Sequence, residues 1–197
     1  MTFETIYRRN LWNGIETRSG LGSGTAATTA ISRAIAELAD NLGVETVVDA
    51  ACGEGRWQPE LPGYLGLDVA PSAIRAARRF HPVRDYRVHD VRDGCPTADL
   101  VICRDAMQHL SLEEGRQLLE AIRASGSAWL LASIYVGGQN VDIATGEWYR
   151  PDLTARPFNL PAPMHLIPDG YDYAVPELIR DPAKHLGLWW LLACGPG

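Results

Sequence analysis

The chain has 197 residues and a formal net charge of −6, with 46% apolar and 21% charged residues, which is the make-up of one soluble globular domain able to bury a full core. The acidic balance argues against a broad nucleic-acid-binding face, although a local basic groove remains open to it. Cys52, Cys95, Cys103 and Cys194 show no C-x-x-C spacing, so neither a zinc site nor a disulfide framework is expected.

The opening residues MTFETIYRRNLW lack the apolar core of a signal peptide, and no run of eighteen apolar residues occurs. A cytoplasmic protein without a membrane span is expected. Seventeen of the eighteen basic residues are arginine, and Lys184 is the sole lysine.

In chain order, residues 1–23 are mixed and end in a small-residue hinge, RSGLGSG (18–24). Its Ser and backbone donors, near a helix N-terminus, suit a carboxylate. Residues 25–42 repeat apolar side chains at helical spacing (Ile31, Ile35, Leu38, Leu42) and stop at Gly43. ETVVDA (45–50) reads as a first strand and YLGLDV (64–69) as a second, followed by a helix PSAIRAARRFH with Pro71 in its first turn. YRVHDV (86–91) and ADLVICR (98–104) read as the third and fourth strands. The next helix starts with a capping box, Ser111 with Glu114 three residues on. AWLLASIY (128–135) is a fifth strand. Apolar strands separated by helices imply an α/β architecture with a mainly parallel sheet covered on both faces. Residues 137–176 are rich in proline and carry Trp148, Tyr149, Phe158, Tyr171 and Tyr173, a composition that favours a covering lid over a loose surface loop. HLGLWWLLA (185–193) reads as a closing strand. The whole chain is read as one domain, with residues 1–43 as an N-terminal helical cover and 45–135 as the ligand-binding core.

VVDAACGEGRW (47–57) poses the central question, because a glycine-rich turn after a first strand suits three ligand classes. A dinucleotide fold needs a third glycine at position 58, which is Gln58. A P-loop needs Gly-Lys-Ser/Thr, and the sole lysine lies far downstream. S-adenosylmethionine carries no phosphate, so glycines that let backbone approach its amino-acid end suffice. It also needs an acid after the second strand for the ribose hydroxyls, a place held by Asp68, which would serve NAD equally well. Asp90, after the third strand, is placed to reach the adenine amino group.

In this order and spacing VVDAACGEG, YLGLD, VHD and ADLVICRD resemble the class I S-adenosylmethionine-dependent methyltransferases, over about residues 45–135. Ala51 stands where that family's first loop glycine usually is. The crossover CGEGRWQPELPG has two prolines and room for a turn of helix at most. RSGLGSGTAATTA, RDAMQHLS, RPFNLPAP and LGLWWL together are similar to a group of small bacterial members. The resemblance implies a Rossmann-like sheet of order 3-2-1-4-5-7-6 with an antiparallel last strand, and S-adenosylmethionine as cofactor. It implies cofactor contacts from Ser23, Asp49, Ala51, Gly53, Gly55, Asp68, Val69, Asp90, Val91 and Arg104.

For the chemistry, Asp105 and His109 are four residues apart and would share a face of a helix, directly after the strand whose end borders the methyl in this fold. The phosphobase methyltransferases carry a similar Asp-x-x-x-His there, with the histidine at the acceptor. His109 is thus the candidate proton acceptor, with Asp105 beside it, and a packing histidine is the bland alternative. Asn140, Trp148, Arg150 and Asn159 of the lid suit a small polar acceptor, or they plug the end of the sheet. A metal held by Asp105, Asp142 and His109 is disfavoured because no DD or DxD pair occurs. Cys103 reads as a core cysteine rather than a nucleophile. The expected activity is methyl transfer to an oxygen or nitrogen of a small-molecule acceptor, without membrane partners and with nucleic acid unlikely. An NAD-dependent oxidoreductase and a non-catalytic S-adenosylmethionine-binding partner protein stay open as alternatives.

Overall fold

The strands Val47–Ala50 (β1), Tyr64–Asp68 (β2), Asp85–Val88 (β3), Leu100–Cys103 (β4), Trp129–Tyr135 (β5), His165–Pro168 (β6) and Lys184–Trp190 (β7) form one sheet in the computed structural model. The structure describes residues 1–169 and 183–193. The strand order is β3-β2-β1-β4-β5-β7-β6. The first five strands run parallel, and β7 pairs antiparallel with both β5 and β6. This is the layout that the resemblance implies.

Every residue of β1 and β4 is buried, which is why these runs lack polar alternation. Val47, Leu100, Ile102 and Leu131 face one layer, made by the helices Thr25–Leu42 (α2) and Pro71–Phe80 (α3). Val48, Val101, Leu130 and Ala132 face the other, which holds the helix Leu112–Ala124 (α4). The helix boundaries follow their local signals. Gly43 takes the left-handed conformation that ends α2, Pro71 sits in the first turn of α3, and Ser111 and Glu114 close a reciprocal capping box on α4. Residues 51–63 between β1 and β2 contain no helix, as the short crossover requires.

Two features depart from the reading of the chain. A helix Phe3–Arg9 (α1) stands in the stretch read as mixed; with only Ile6 and Tyr7 buried, it is too short to show a period. The proline-rich segment contributes an edge strand, β6, whose Pro168 is tolerated because an edge has one unpaired side. The same segment drives Leu153, Phe158 and Leu160 into the core beside Val101, Leu118 and Trp189, so it covers the sheet on the α4 side. Gly115 of α4 makes room for Phe158, since a Cβ there would lie 3.1 Å from its ring. Tyr171 and Tyr173 fall outside the described residues. No helix among the described residues is long and apolar enough to cross a membrane.

Candidate functional site

The C-terminal ends of β1, β2 and β4 open onto a cleft of ≈980 Å³, its solvent-open mouth included. The loop after β1 turns sharply, with Ala51 at φ 78°, Gly53 at 61° and Gly55 at 65°. Left-handed backbone favours glycine, and Ala51 holds it at a position where glycine would carry no strain.

Asp68, at the end of β2, fastens this loop. Its Oδ2 accepts the Gly53 N–H at 2.9 Å and its Oδ1 the Ala70 N–H at 2.8 Å. Each oxygen keeps lone pairs for a ligand hydroxyl. Burial raises the Asp68 pKa, against these backbone hydrogen bonds.

Asp49 and Gly55 do not reach the cleft wall. Asp49 lies behind the loop, 1% exposed, where its Oδ2 accepts from Tyr64 Oη (2.8 Å) and Gln58 Nε2 (2.8 Å). Burial pushes its pKa up to about 6 against those two bonds. Gln58, which holds the place of a dinucleotide glycine, also donates to the Cys52 carbonyl and so ties strand and loop together. Gly55 packs under Tyr86, where a Cβ would lie 2.6 Å from the phenol oxygen. Gly55→Val therefore acts on the fold before it acts on any ligand. Overpacking of a core costs about 1–3 kcal/mol, so thermal unfolding of this variant should start well below the parent. An unchanged melting temperature would show that the loop relocates freely.

Asp90 and Val91 line the cleft after β3. The Asp90 carboxylate is taken by its own neighbour, with Arg92 Nε at 3.0 Å from Oδ1 and Nη2 at 2.7 Å from Oδ2. Arg92 extends to Glu114 of α4 at 2.6 Å, and the Arg92 bonds hold the Asp90 pKa below its ordinary value.

At the end of β4 lies a buried charge network. Arg104 forks onto Asp169, Nε to Oδ2 at 3.0 Å and Nη2 to Oδ1 at 2.9 Å. Lys184 Nζ bridges Asp105 at 2.8 Å and Asp169 at 3.2 Å. The Arg104 and Lys184 side chains are 1% exposed and Asp169 is 0% exposed. Arg104 also donates to the Gly22 carbonyl and lies over the Trp57 ring. Burial works to raise the Asp105 pKa, but Lys184 and Arg104 hold it well below the carboxylate range. Burial likewise opposes the Lys184 charge, which Asp105 and Asp169 more than offset, so its pKa is raised.

Asp105 and His109 do not share a helical face. Asp105 has φ 56° and a single 3-10 turn spans Met107–His109, yet both side chains line the cleft. His109 Nδ1 lies 2.8 Å from the Glu147 carbonyl, an acceptor only. In the neutral ring Nδ1 therefore carries the proton and Nε2 presents a lone pair. Burial lowers the His109 pKa, partly countered by that backbone bond and by the Asp105 charge. Trp12 stacks on the imidazole, centroids 4.5 Å apart and planes at 30°. Trp12, with Phe3 and Tyr7 of α1, lines one side of the cleft, and Tyr7 Oη donates to the buried Glu54 at 2.6 Å.

The hinge before α2 is occupied by the chain's own acid. Glu16 accepts the Thr25 N–H at 2.8 Å, so the carboxylate suited to that helix N-terminus is internal. Ser23 lines the cleft. The lid residues do not. Asn140 clamps the lid on itself, accepting from Asp152 N–H and donating to the carbonyls of Asp152 and Arg156. Trp148 is half exposed, its ring edge-on to Tyr135, with Arg150 above it. Asn159 is exposed and turns back onto Pro157 O. Asp142 accepts the Leu112 N–H at the start of α4. Burial pushes the Cys103 thiol up to about 12, which leaves it a core residue.

No family model and no curated protein sequence matches the chain. Among solved structures it is similar to magnesium protoporphyrin IX methyltransferase from Synechocystis with bound SAM, at TM-score 0.57 and 16% identity, over 95% of this chain and 83% of that one. Human N-acetylserotonin methyltransferase in complex with SAM aligns at TM-score 0.49 and 19% identity, over 68% of this chain and 41% of that one.

Proposed function

We propose that this chain, which has the class I methyltransferase fold, binds S-adenosylmethionine in the cleft and methylates an oxygen or nitrogen of a small-molecule acceptor. The observation that carries the reading is the geometry of His109. Its Nδ1–H is spent on the Glu147 carbonyl, so the basic Nε2 belongs to a ring that lines the same cleft as Asp68 and Gly53. The residues present suit the cofactor. The Asp68 oxygens have acceptor capacity for two ribose hydroxyls, Ser19 and Ser23 add hydroxyls, and no phosphate-binding lysine stands on the loop. When bound, S-adenosylmethionine supplies an electrophilic methyl group.

The chain itself does three things. The glycine loop and Asp68 would hold the cofactor's ribose and amino-acid end. Phe3, Tyr7 and Trp12 line the cleft with aromatic surface, which around a bound cofactor would exclude water and strengthen the charge interactions within it. His109 Nε2 would take the acceptor's proton as the nucleophile forms its new bond. Asp105, locked by Lys184, is a fixed charge beside His109 rather than a proton carrier. With the lid residues turned away from the cleft, the acceptor would be held by Trp12 and His109.

Calorimetry with S-adenosylhomocysteine, NAD and ATP tests the cofactor directly, and S-adenosylhomocysteine should be the ligand bound tightly. Asp68→Ala removes the ribose acceptor, and losing hydrogen bonds to a charged group costs about 1.5–3 kcal/mol. That is roughly a ten- to hundred-fold loss of affinity. Equal affinity in parent and variant would refute the ribose assignment.

A further inference from the structure

Outside the cleft, sharing only its Tyr7 wall, the end of α1, residues 14–18, the glycine loop and α3 enclose an open groove. It holds five arginines, Arg8, Arg18, Arg56, Arg75 and Arg79. Glu16 and Glu54 also line it: Glu54 accepts the Tyr7 hydroxyl and pairs with Arg56 at 3.5 Å, and Glu16 accepts the Thr25 N–H, so the groove keeps an excess of guanidinium over carboxylate charge. Among the described residues the Arg8 and Arg79 side chains have no hydrogen bond or ion pair. Arg18 donates to the Arg8 carbonyl, and Arg75 donates to Ser72 Oγ, whose hydroxyl donates in turn to the Glu4 carboxylate, so Arg75 lies one hydroxyl away from an acid. Arg56, paired with Glu54 and donating to the Glu16 carbonyl, has its Cζ 4.2 Å from the Phe80 ring centroid, so the free charges of the groove are those of the other four arginines.

This is a concave, cation-rich surface on a chain of net charge −6. Like charges gathered in one hollow repel one another, and a multiply charged anion relieves the repulsion. The guanidinium fork matches the geometry of phosphate oxygens. We propose that the groove is a second ligand site, binding a phosphate-bearing molecule separately from the cofactor cleft. The phosphate belongs either to a free phosphorylated compound or to the backbone of a single-stranded nucleic acid, and both present the same oxyanions to the groove.

The test needs no methylation and no cofactor, so it stands or falls apart from the function proposed above. Inorganic tripolyphosphate and a fluorescent single-stranded RNA oligonucleotide are titrated at low salt into the parent, into Arg75→Ala/Arg79→Ala, and into Arg8→Ala/Arg18→Ala. The two pairs lie on different elements and all four side chains are exposed, so melting temperatures should match the parent. Tripolyphosphate should bind the parent and raise its melting temperature, and each double variant should bind at least about tenfold more weakly, the loss expected for two charged contacts. If the oligonucleotide binds as well, the slope of log K against log salt should fall by about 1.4 in each double variant, two contacts at roughly 0.7 each. That result assigns the phosphate to a nucleic acid, whereas binding of tripolyphosphate alone assigns it to a free compound. The proposal is overturned if the parent binds neither probe, or if both variants bind as tightly as the parent.

Discussion

Lys184→Met is expected to lower the melting temperature by about 6–20 °C. Removing one partner of a buried ion pair costs about 3–5 kcal/mol, because the remaining charge stays buried without compensation. In a domain of this size each kcal/mol moves the midpoint by about 2–4 °C. Here the ammonium bridges two carboxylates, Asp105 and Asp169, and its loss leaves Arg104 alone against both. The sign of the pH effect follows from Asp105, whose folded pKa lies below its ordinary value. Its stabilising contribution is complete above the unfolded pKa of about 3.9 and is lost as pH falls through the folded value. Without Lys184 that folded value rises, so the variant should lose stability at a higher pH than the parent during acid titration. The exposed i,i+4 pair Arg33–Glu37 is the control, since breaking it should cost less than about 1 kcal/mol. If Lys184→Met melts with Arg33→Ala, the network contributes nothing to stability.

His109→Gln should lower methyl transfer by about 10²–10⁴-fold and leave S-adenosylhomocysteine affinity nearly unchanged. Glutamine keeps a hydrogen-bonding side chain but cannot take up a proton near neutral pH. Because burial lowers the His109 pKa, the basic form persists below the ordinary histidine range of about 6.5. The parent's rate should therefore rise with pH along a limb centred below that value, and the limb should be absent from the variant. Trp12→Leu removes the ring stacked on the imidazole and separates two roles. A flattened or displaced limb assigns Trp12 to the orientation of His109, and an unshifted limb with a raised KM assigns it to the acceptor. A near-normal rate in His109→Gln would make the histidine a packing residue.

What the sequence determined by itself is local. Apolar side chains at helical spacing place α2 and α4, and the stop at Gly43 and the capping box at Ser111 mark their ends to the residue. Unbroken apolar runs place β1, β2, β4, β5 and β7, since a buried strand must be apolar on both faces. Asp68 and Gly53 are legible for the same reason, because the acid and the loop it fastens are neighbours along β1 and β2. The pairing of the cleft's charges and its aromatic wall were decided by tertiary structure. Arg104 meets Asp169 across 65 residues, Asp105 meets Lys184 across 79, and Tyr7 meets Glu54 across 47. Trp12 reaches His109 only because α1 folds back over the cleft. One trace of the network was visible, the sole lysine of an arginine-rich chain set at the head of an apolar strand. Its partners could not be read from that. Periodicity records which face of an element is buried, whereas the pairing of charges depends on which elements the sheet order brings side by side, and on the cost of leaving any of them unpaired in the interior.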